Sequence, residues 1–366
     1  MIRKILKYAG TMIACLVVIL SSSVLLYRKY LQHKITEERA ISSPDGIDSL
    51  EPVRIGGIDQ WIEVRGQNVS NPILLFIHGG PGIAFIPLAA AFQDPWEKNF
   101  TVVQWDQRGA GKTYATNDKK LQRSTMNVPQ MEQDALDVVN YLRRRFKREK
   151  IFVLGPSWGS VLGLWLAHEH PDLIYAYVGV GQFVNFRQNA ASIYQDALQQ
   201  ARNNHNEQAI KELESIAPYP PLNPDFEKMS TANRWAGRLL GPPPTSQPAF
   251  TDAKRLITSL VSAPEYSLRD DYSFVRGLQF SAETLFPELW KIDLNKLGSE
   301  FRAPIFFFEG RHDPYCRPSL IWDYSQSIKA PQKEFVWFDN SGHFPFFEEQ
   351  QKFGDELLRR VLPLAN

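Results

Sequence analysis

Ile151-Phe152-Val153-Leu154-Gly155-Pro156-Ser157-Trp158-Gly159-Ser160 is the stretch whose reading decides the fold. Four apolar residues make a short buried strand, and Ser160 to Ala167 suits a helix. Between them stands Gly-x-Ser-x-Gly. In a strand–turn–helix context this pattern lifts a serine hydroxyl clear of a sheet on a strained backbone. Glycine is needed on both sides, because a Cβ there would meet the neighbouring strand or helix.

Outward from this turn, short apolar strands alternate with helical patterns. Val53 to Arg65 alternates around Gly56-Gly57 and reads as an antiparallel hairpin. Ile73 to Ile77, Phe100 to Trp105, Ile174 to Val180, Pro304 to Phe308 and Lys333 to Phe338 read as strands. Met131, Ala135, Val138, Val139, Leu142 and Phe146 recur at helical spacing, and helices are also expected over Pro318 to Ile328 and Glu349 to Val361. This rhythm predicts an α/β chain with a mostly parallel sheet covered by helices on both faces. Residues 182–297 break it with helix-like segments, many aromatics and two proline clusters, Pro218 to Pro224 and Pro242 to Pro248. They read as a helical cap inserted between two core strands. The expected division is 1–50 for an N-terminal segment and linker, 51–181 and 298–366 for the core, and 182–297 for the cap.

A serine hydroxyl needs a base, and the base needs an orienting carboxylate. After the cap, Phe306-Phe307-Phe308-Glu309-Gly310-Arg311-His312-Asp313 is a strand delivering an acid into a loop. A later strand ends before Asp339-Asn340-Ser341-Gly342-His343. Ser157, Asp313 and His343 therefore follow three strand ends in the order this architecture uses. Glu309 and Asp339 stand as alternative acids. His78-Gly79-Gly80-Pro81-Gly82 follows a strand and can aim a backbone N–H at a developing oxyanion, from Gly80 or alternatively Gly79. Trp158 N–H is the second donor. His78 reads as a brace for that loop, and His312 as a neighbour of the acid. His168-Glu169-His170 precedes Pro171 and reads as a helix stop; no metal or cofactor is expected.

The chain has 366 residues and a net charge of +1, which argues for no nucleic-acid partner. The run Arg143 to Arg148 reads as the solvated end of a helix. Cys15 and Cys316 lie too differently in the sequence to suggest a disulfide. Arg3, Lys4 and Lys7 precede an apolar run from about Ala9 to Tyr27, near the roughly 20 residues that cross a bilayer. An uncleaved membrane anchor with the remaining chain outside the cytoplasm is expected. The alternative is a signal cleaved near Ser23, giving a secreted or periplasmic protein. Leu31 to Leu50 is polar and reads as a linker.

His78-Gly79-Gly80-Pro81-Gly82, Asp106-Gln107-Arg108-Gly109-Ala110-Gly111-Lys112-Thr113, Gly155-Pro156-Ser157-Trp158-Gly159-Ser160, Gly310-Arg311-His312-Asp313 and Ser341-Gly342-His343 together resemble the proline iminopeptidase family of α/β-hydrolases. The likeness covers about Val53 to Leu362. It implies the α/β-hydrolase fold, and a Ser-Asp-His hydrolase releasing N-terminal residues, proline above all, from short peptides. It also implies that Asp106 to Thr113 frames the pocket. One departure matters. The family's cap carries a Trp-Glu-Gly stretch whose glutamate binds the substrate amine. Here Trp235-Ala236-Gly237 has alanine in its place, with Glu265 or Glu283 as possible substitutes. The residues that bind substrate are otherwise open.

Two other readings compete. One is an esterase or amidase acting on small apolar acyl substrates, which the cap aromatics Phe183, Phe186, Tyr194, Trp235, Tyr266, Phe274 and Phe280 would suit. The other is a ligand-binding receptor with a slow triad. Epoxide hydrolase and dehalogenase chemistry on this fold uses an aspartate nucleophile, and Ser157 argues against both.

Overall fold

The computed structural model describes residues 2–242 and 253–365; Pro243, Pro244 and Pro248 of the second proline cluster lie outside them. In chain order the helices are α1 (Ile2–Glu38), α2 (Gly111–Thr116), α3 (Lys119–Thr125), α4 (Val128–Phe146), α5 (Trp158–Glu169), α6 (Phe186–Asn203) and α7 (Glu207–Ser215). They continue with α8 (Phe226–Leu239), α9 (Ala253–Ser262), α10 (Leu268–Leu289), α11 (Pro318–Ser327), α12 (Pro345–Glu348) and α13 (Gln350–Glu356). The strands are β1 (Ile47–Ile55), β2 (Ile58–Gly66), β3 (Ile73–Phe76), β4 (Thr101–Asp106), β5 (Ile151–Pro156), β6 (Ile174–Val180), β7 (Ile305–Gly310) and β8 (Lys333–Phe338).

All eight strands form one sheet in the order β1-β2-β4-β3-β5-β6-β7-β8. The β1–β2 hairpin turns at Gly56-Gly57, both at positive φ, which is the backbone that a tight two-residue hairpin turn demands. β2 joins β4 antiparallel, and every later pairing is parallel. Along β3 the side chains alternate between faces. Ile73 and Leu75 pack with Val138, Leu142 and Leu162 of α4 and α5. Leu74 and Phe76 pack on the other face with Phe85, Phe92, Phe346 and Phe353. Crossover β3–β4–β5 connections leave β5 central, with its C-terminal end at the rim where the chain reverses direction across the sheet.

Among the described residues, the α-helices between β6 and β7 are α6 to α10. Of the cap aromatics, Phe183 and Phe186 turn inward. Tyr194 and Trp235 hold α6, α7 and α8 together. Tyr266 and Phe274 pack down on the core, as does Phe280 on its other face.

The N-terminal part differs from the linker that the sequence suggests. Leu31 to Glu38 continue α1, and Ile47 to Leu50 already belong to β1. The reason lies in long-range partners. Gln32 donates to the carbonyls of Ala263 and Tyr266 at 2.8 and 3.2 Å. Arg39 pairs with Asp94, Glu97 and Glu265. A polar stretch with such docking has no need of solvent. From Gly10 onward α1 is long and apolar enough to cross a membrane, a property that signal sequences share. The final helix also differs, since α13 gives way to a π-helical turn over Leu357–Val361.

Candidate active site

Ser157 sits between β5 and α5 with φ 54° and ψ −123°. A non-glycine residue in this region is strained and persists only where its surroundings over-determine it. They do so here. Ser157 N donates to Val180 O at 2.9 Å, while Ser157 O accepts from Ser160 N at 2.9 Å and Ser160 Oγ at 2.6 Å. The flanking glycines are a packing necessity. A Cβ on Gly159 would lie 1.7 Å from Ile77 O, and one on Gly155 would lie 2.4 Å from Gly159 O.

Asp313 and His343 arrive from the loops after β7 and β8. Asp313 is fully buried, and its Oδ2 lies 2.7 Å from His343 Nδ1. Its other oxygen accepts from the backbone N–H groups of Tyr315 and Cys316 at 2.7 and 2.9 Å. The imidazole ring is held between Tyr315 and Phe344, at ring separations of 5.3 and 4.5 Å. The alternative acids stand elsewhere. Glu309 is buried behind Asp313, accepts from Gln182 N at 3.0 Å, and is pushed well above the usual carboxylate range by burial and by Asp313. Asp339 is exposed and paired with Arg311 and Lys352.

Gly80 and Ser157 line the same cavity, and Gly79 packs so closely under the serine that a Cβ on it would lie 3.1 Å from Ser157 Cβ. Trp158 N opens α5 beside them. His78 is buried, and burial lowers its pKa to about 4, so its ring is neutral. Its Nδ1 meets Gly79 O at 2.9 Å and its Nε2 accepts from Gln107 N at 3.2 Å. Gln107 also donates to His78 O at 2.8 Å and accepts from the Trp158 indole at 3.0 Å. One glutamine thus ties the glycine turn to the first turn of α5.

Gln107 belongs to the Asp106 to Thr113 motif that the sequence singled out; two other contributors escaped sequence reasoning. Gln182 carries no signal of its own in one sequence. Glu348 is an acid five residues after His343, and only that spacing could have marked it. Glu348 is buried and accepts from Gly342 N at 2.6 Å, pinning the loop that carries His343. Burial pushes its carboxyl up to about 7, with the Gly342 N–H opposing and the Asp313 charge adding. A carboxyl raised by folding contributes stability fully below its unfolded value, near 4.5, and loses it as pH rises through about 7. Glu348→Gln cannot titrate. Its melting temperature relative to wild type is therefore expected to rise between pH 5 and pH 8, and calorimetry at the two pH values checks the sign.

The cavity above Ser157 has a volume of about 350 Å³. Its walls include Phe183, Phe186, Met229 and Leu289, with Asn233 and Tyr219 among the few polar groups. Among the described residues no Asp, Glu, Lys or Arg lines it. Ala236 does not line it either. It is fully buried against Ala197, Ala201 and Leu213, in the seam between cap helices. The α8 face turned to the cavity is instead Met229 and Asn233, one helical turn apart. Glu265 belongs to the Arg39 cluster, and Glu283 lies at the surface near Arg123. Neither reaches the cavity. Ala236→Glu would bury an unpaired carboxylate between helices and is expected to lower stability by about 3 kcal/mol or more, read as the shift of the urea midpoint.

The His168 and His170 rings pack against Phe301 and Trp165, respectively. Asp313, Cys316 and His343 do place one possible ligand atom each within 4.8 Å of the others. Burial, with Asp313 and Glu309 nearby, pushes the Cys316 thiol well up. It is therefore a protonated thiol and a poor metal ligand.

Residues 72–350 match the family model described as alpha/beta hydrolase fold. The chain is 30% identical over 325 residues to the probable aminopeptidase YbaC of Bacillus subtilis (strain 168), covering 88% of this chain and 98% of the relative. It is 25% identical over 299 residues to a probable proline iminopeptidase of Leptolyngbya boryana, covering 77% and 84%. The solved proline iminopeptidase of Mycobacterium smegmatis superposes with a TM-score of 0.59 at 18% identity, covering 87% of this chain and 100% of that one, which speaks for the fold alone. With the elbow between β5 and α5, the eight-stranded sheet and the insertion after β6, these matches identify the chain as a proline iminopeptidase-like enzyme of the α/β-hydrolase family.

Proposed function

We propose that this enzyme is a serine hydrolase that cleaves amide bonds of short peptides through an acyl-enzyme on Ser157, and that it binds the acyl residue by apolar contact rather than by its charge. The single observation that carries the reading is the cavity, which has Ser157 and His343 at its floor and no charged side chain among its described walls. His343, held by Asp313, takes the Ser157 proton as Oγ attacks the carbonyl carbon. The N–H groups of Gly80 and Trp158 stabilise the oxyanion; Gly79 is the alternative first donor. His343 then gives the proton to the leaving amine, and water repeats the sequence to free the acid. The aminopeptidase and iminopeptidase names of the relatives favour a small N-terminal residue such as proline as the acyl part. The N-terminal helix serves as a membrane anchor in this reading, with the catalytic part outside the cytoplasm.

The uncharged cavity also favours a second reading, an esterase or amidase for small apolar acyl groups. A free ammonium buried there without a carboxylate would be costly. The test compares kcat/KM for a proline arylamide, its N-acetyl counterpart and a short-chain aryl ester. A preference under about tenfold for the free imino form, or about 1.4 kcal/mol, is expected. A preference of a thousandfold would overturn neutral recognition and restore strict aminopeptidase specificity. Asn233 stands on α8 with its side chain on the cavity wall. Asn233→Asp is expected to raise the free-imino to N-acetyl ratio at least tenfold, since it places a carboxylate on the cavity wall.

A further inference from the structure

Helix α1 is docked along the cap, and the order of its contacts has a direction. Arg39, near its C-terminal end, meets Glu265 at 3.2 Å. Two turns earlier, Gln32 meets the carbonyls of Ala263 and Tyr266. One further turn toward the apolar run, Arg28 donates to Val261 O at 3.0 Å and to Tyr266 O at 2.9 Å, and pairs with Asp271 at 2.8 Å. Arg28 is buried, although it directly follows a run of exposed apolar residues. At the level of Arg28, where the apolar stretch of α1 begins, the partners are thus the end of α9 at Val261, the connecting Tyr266 and the first turn of α10 at Asp271.

The outer face of α10 at this end carries an uncovered apolar stripe, flanked by the exposed Arg269 and Arg276. Leu268, Tyr272 and Val275 are 55, 66 and 59% exposed. They fall at i, i+4 and i+7, one stripe of the helix. The opposite stripe, Asp270, Phe274 and Gly277, is buried. Ile257 on α9, one turn before Val261, is exposed as well. On α1 itself Tyr27 and Tyr30 are exposed at the level of Arg28. Tyrosines of this kind mark the headgroup level of a bilayer, where an apolar ring meets water at its tip.

We infer that the α9–α10 edge of the cap is a membrane-seating surface, with Leu268, Tyr272, Val275 and Ile257 immersed in the interface of the same bilayer that α1 crosses. The inference rests on the anchor reading of α1. What commits the patch to lipid is continuity: it adjoins the point where the apolar helix leaves the cap. Arg28, Gln32 and Arg39 make α1 a rigid stalk rather than a tether, so the patch cannot turn away from the bilayer. The opposite end of α10, at Leu289, forms a wall of the cavity. Eighteen residues of helix separate Asp271 from Leu289, which holds the active site roughly 27 Å along α10 from the seated end.

The test uses the full chain in phosphatidylcholine–phosphatidylglycerol vesicles, in a Cys15→Ser, Cys316→Ala background. Single cysteines at Tyr272→Cys and Val275→Cys carry an environment-sensitive NBD label. Leu20→Cys reports the anchor. Glu300→Cys is the aqueous control, because its loop precedes β7, at the far side of the sheet from the β2 residues next to Arg39. Lipids with a doxyl group near the headgroup are expected to quench the 272 and 275 labels at least threefold more than the 300 label. Adding Arg28→Ala is expected to return the 275 label toward the control value while the Leu20 label stays in lipid. Labels at 272 and 275 that match the control, with Leu20 in lipid, would overturn the seating alone. A Leu20 label in water would remove the anchor reading and the seating with it.

Discussion

Ser157→Ala is expected to abolish labelling by a fluorophosphonate and to lower kcat for any substrate by roughly a million-fold, the scale at which a nucleophile's loss leaves only binding and oxyanion stabilisation. The expectation follows from the backbone before it follows from the side chain. Ser157 is held at φ 54° by three hydrogen bonds and by two glycines that no other residue could replace without a clash. Strain of this kind is retained where it aims a reactive atom. Alanine keeps the backbone and removes only Oγ, so the variant should melt within a few degrees of wild type. Undiminished labelling of Ser157→Ala would show that another residue is the nucleophile. Mass spectrometry of the labelled wild-type peptide spanning Ile151 to Glu169 locates the adduct directly.

His343→Ala is expected to cost about as much as losing the serine, because the members of such a unit fail together. Asp313→Asn should cost about 10⁴ in kcat. The Asp313 carboxylate accepts from His343 Nδ1 at 2.7 Å, whereas an amide there can present its NH₂ and favour the wrong tautomer. Two controls separate this reading from its competitors. Glu309 accepts from Gln182 N, while His343 pairs with Asp313, so Glu309→Gln should leave kcat within about threefold. Asp339 is an exposed partner of Arg311, and Asp339→Asn should be silent. A drop from either control comparable to that of Asp313→Asn would move the acid away from Asp313.

The parts of this site that were legible in the sequence share a cause. Ser157, Asp313 and His343 each follow a run of apolar residues that can only be a buried strand, and strand ends on one edge of a parallel sheet lie close in space. Chain order and periodicity therefore carried the information. The glycines of the elbow were legible for the same reason, since a sharp turn between a strand and a helix leaves no room for a Cβ. Gln107 stood in a quoted motif, but its bridge between His78 and Trp158 was not legible, and neither were Gln182 and Glu348. Their side chains act through hydrogen bonds set by how the loops fold back on the elbow, and no hydrophobic period marks such a residue.

The cap shows the limit most clearly. Trp235-Ala236-Gly237 could be aligned by letters with a family pattern, but not by direction. Which side of α8 meets the cavity depends on how α6 and α7 pack behind it, and that packing turns Asn233 inward and Ala236 into the seam. The same holds at the N-terminus. Composition alone marked Ala9 to Tyr27 as apolar and Leu31 to Leu50 as polar. Only the tertiary structure decided that the polar part is a docked stalk, because Gln32 and Arg39 are satisfied by cap groups more than 200 residues away in sequence and Arg39 also by the core carboxylates of Asp94 and Glu97. The sequence by itself determined the α/β architecture, the order of its strands along the chain and the three candidate reactive residues, since these depend on local hydrophobic period and backbone sterics. The tertiary structure decided the charge of the acyl cavity, the partner of each buried polar group and the attitude of the anchor to the cap, since these depend on contacts that no local period encodes.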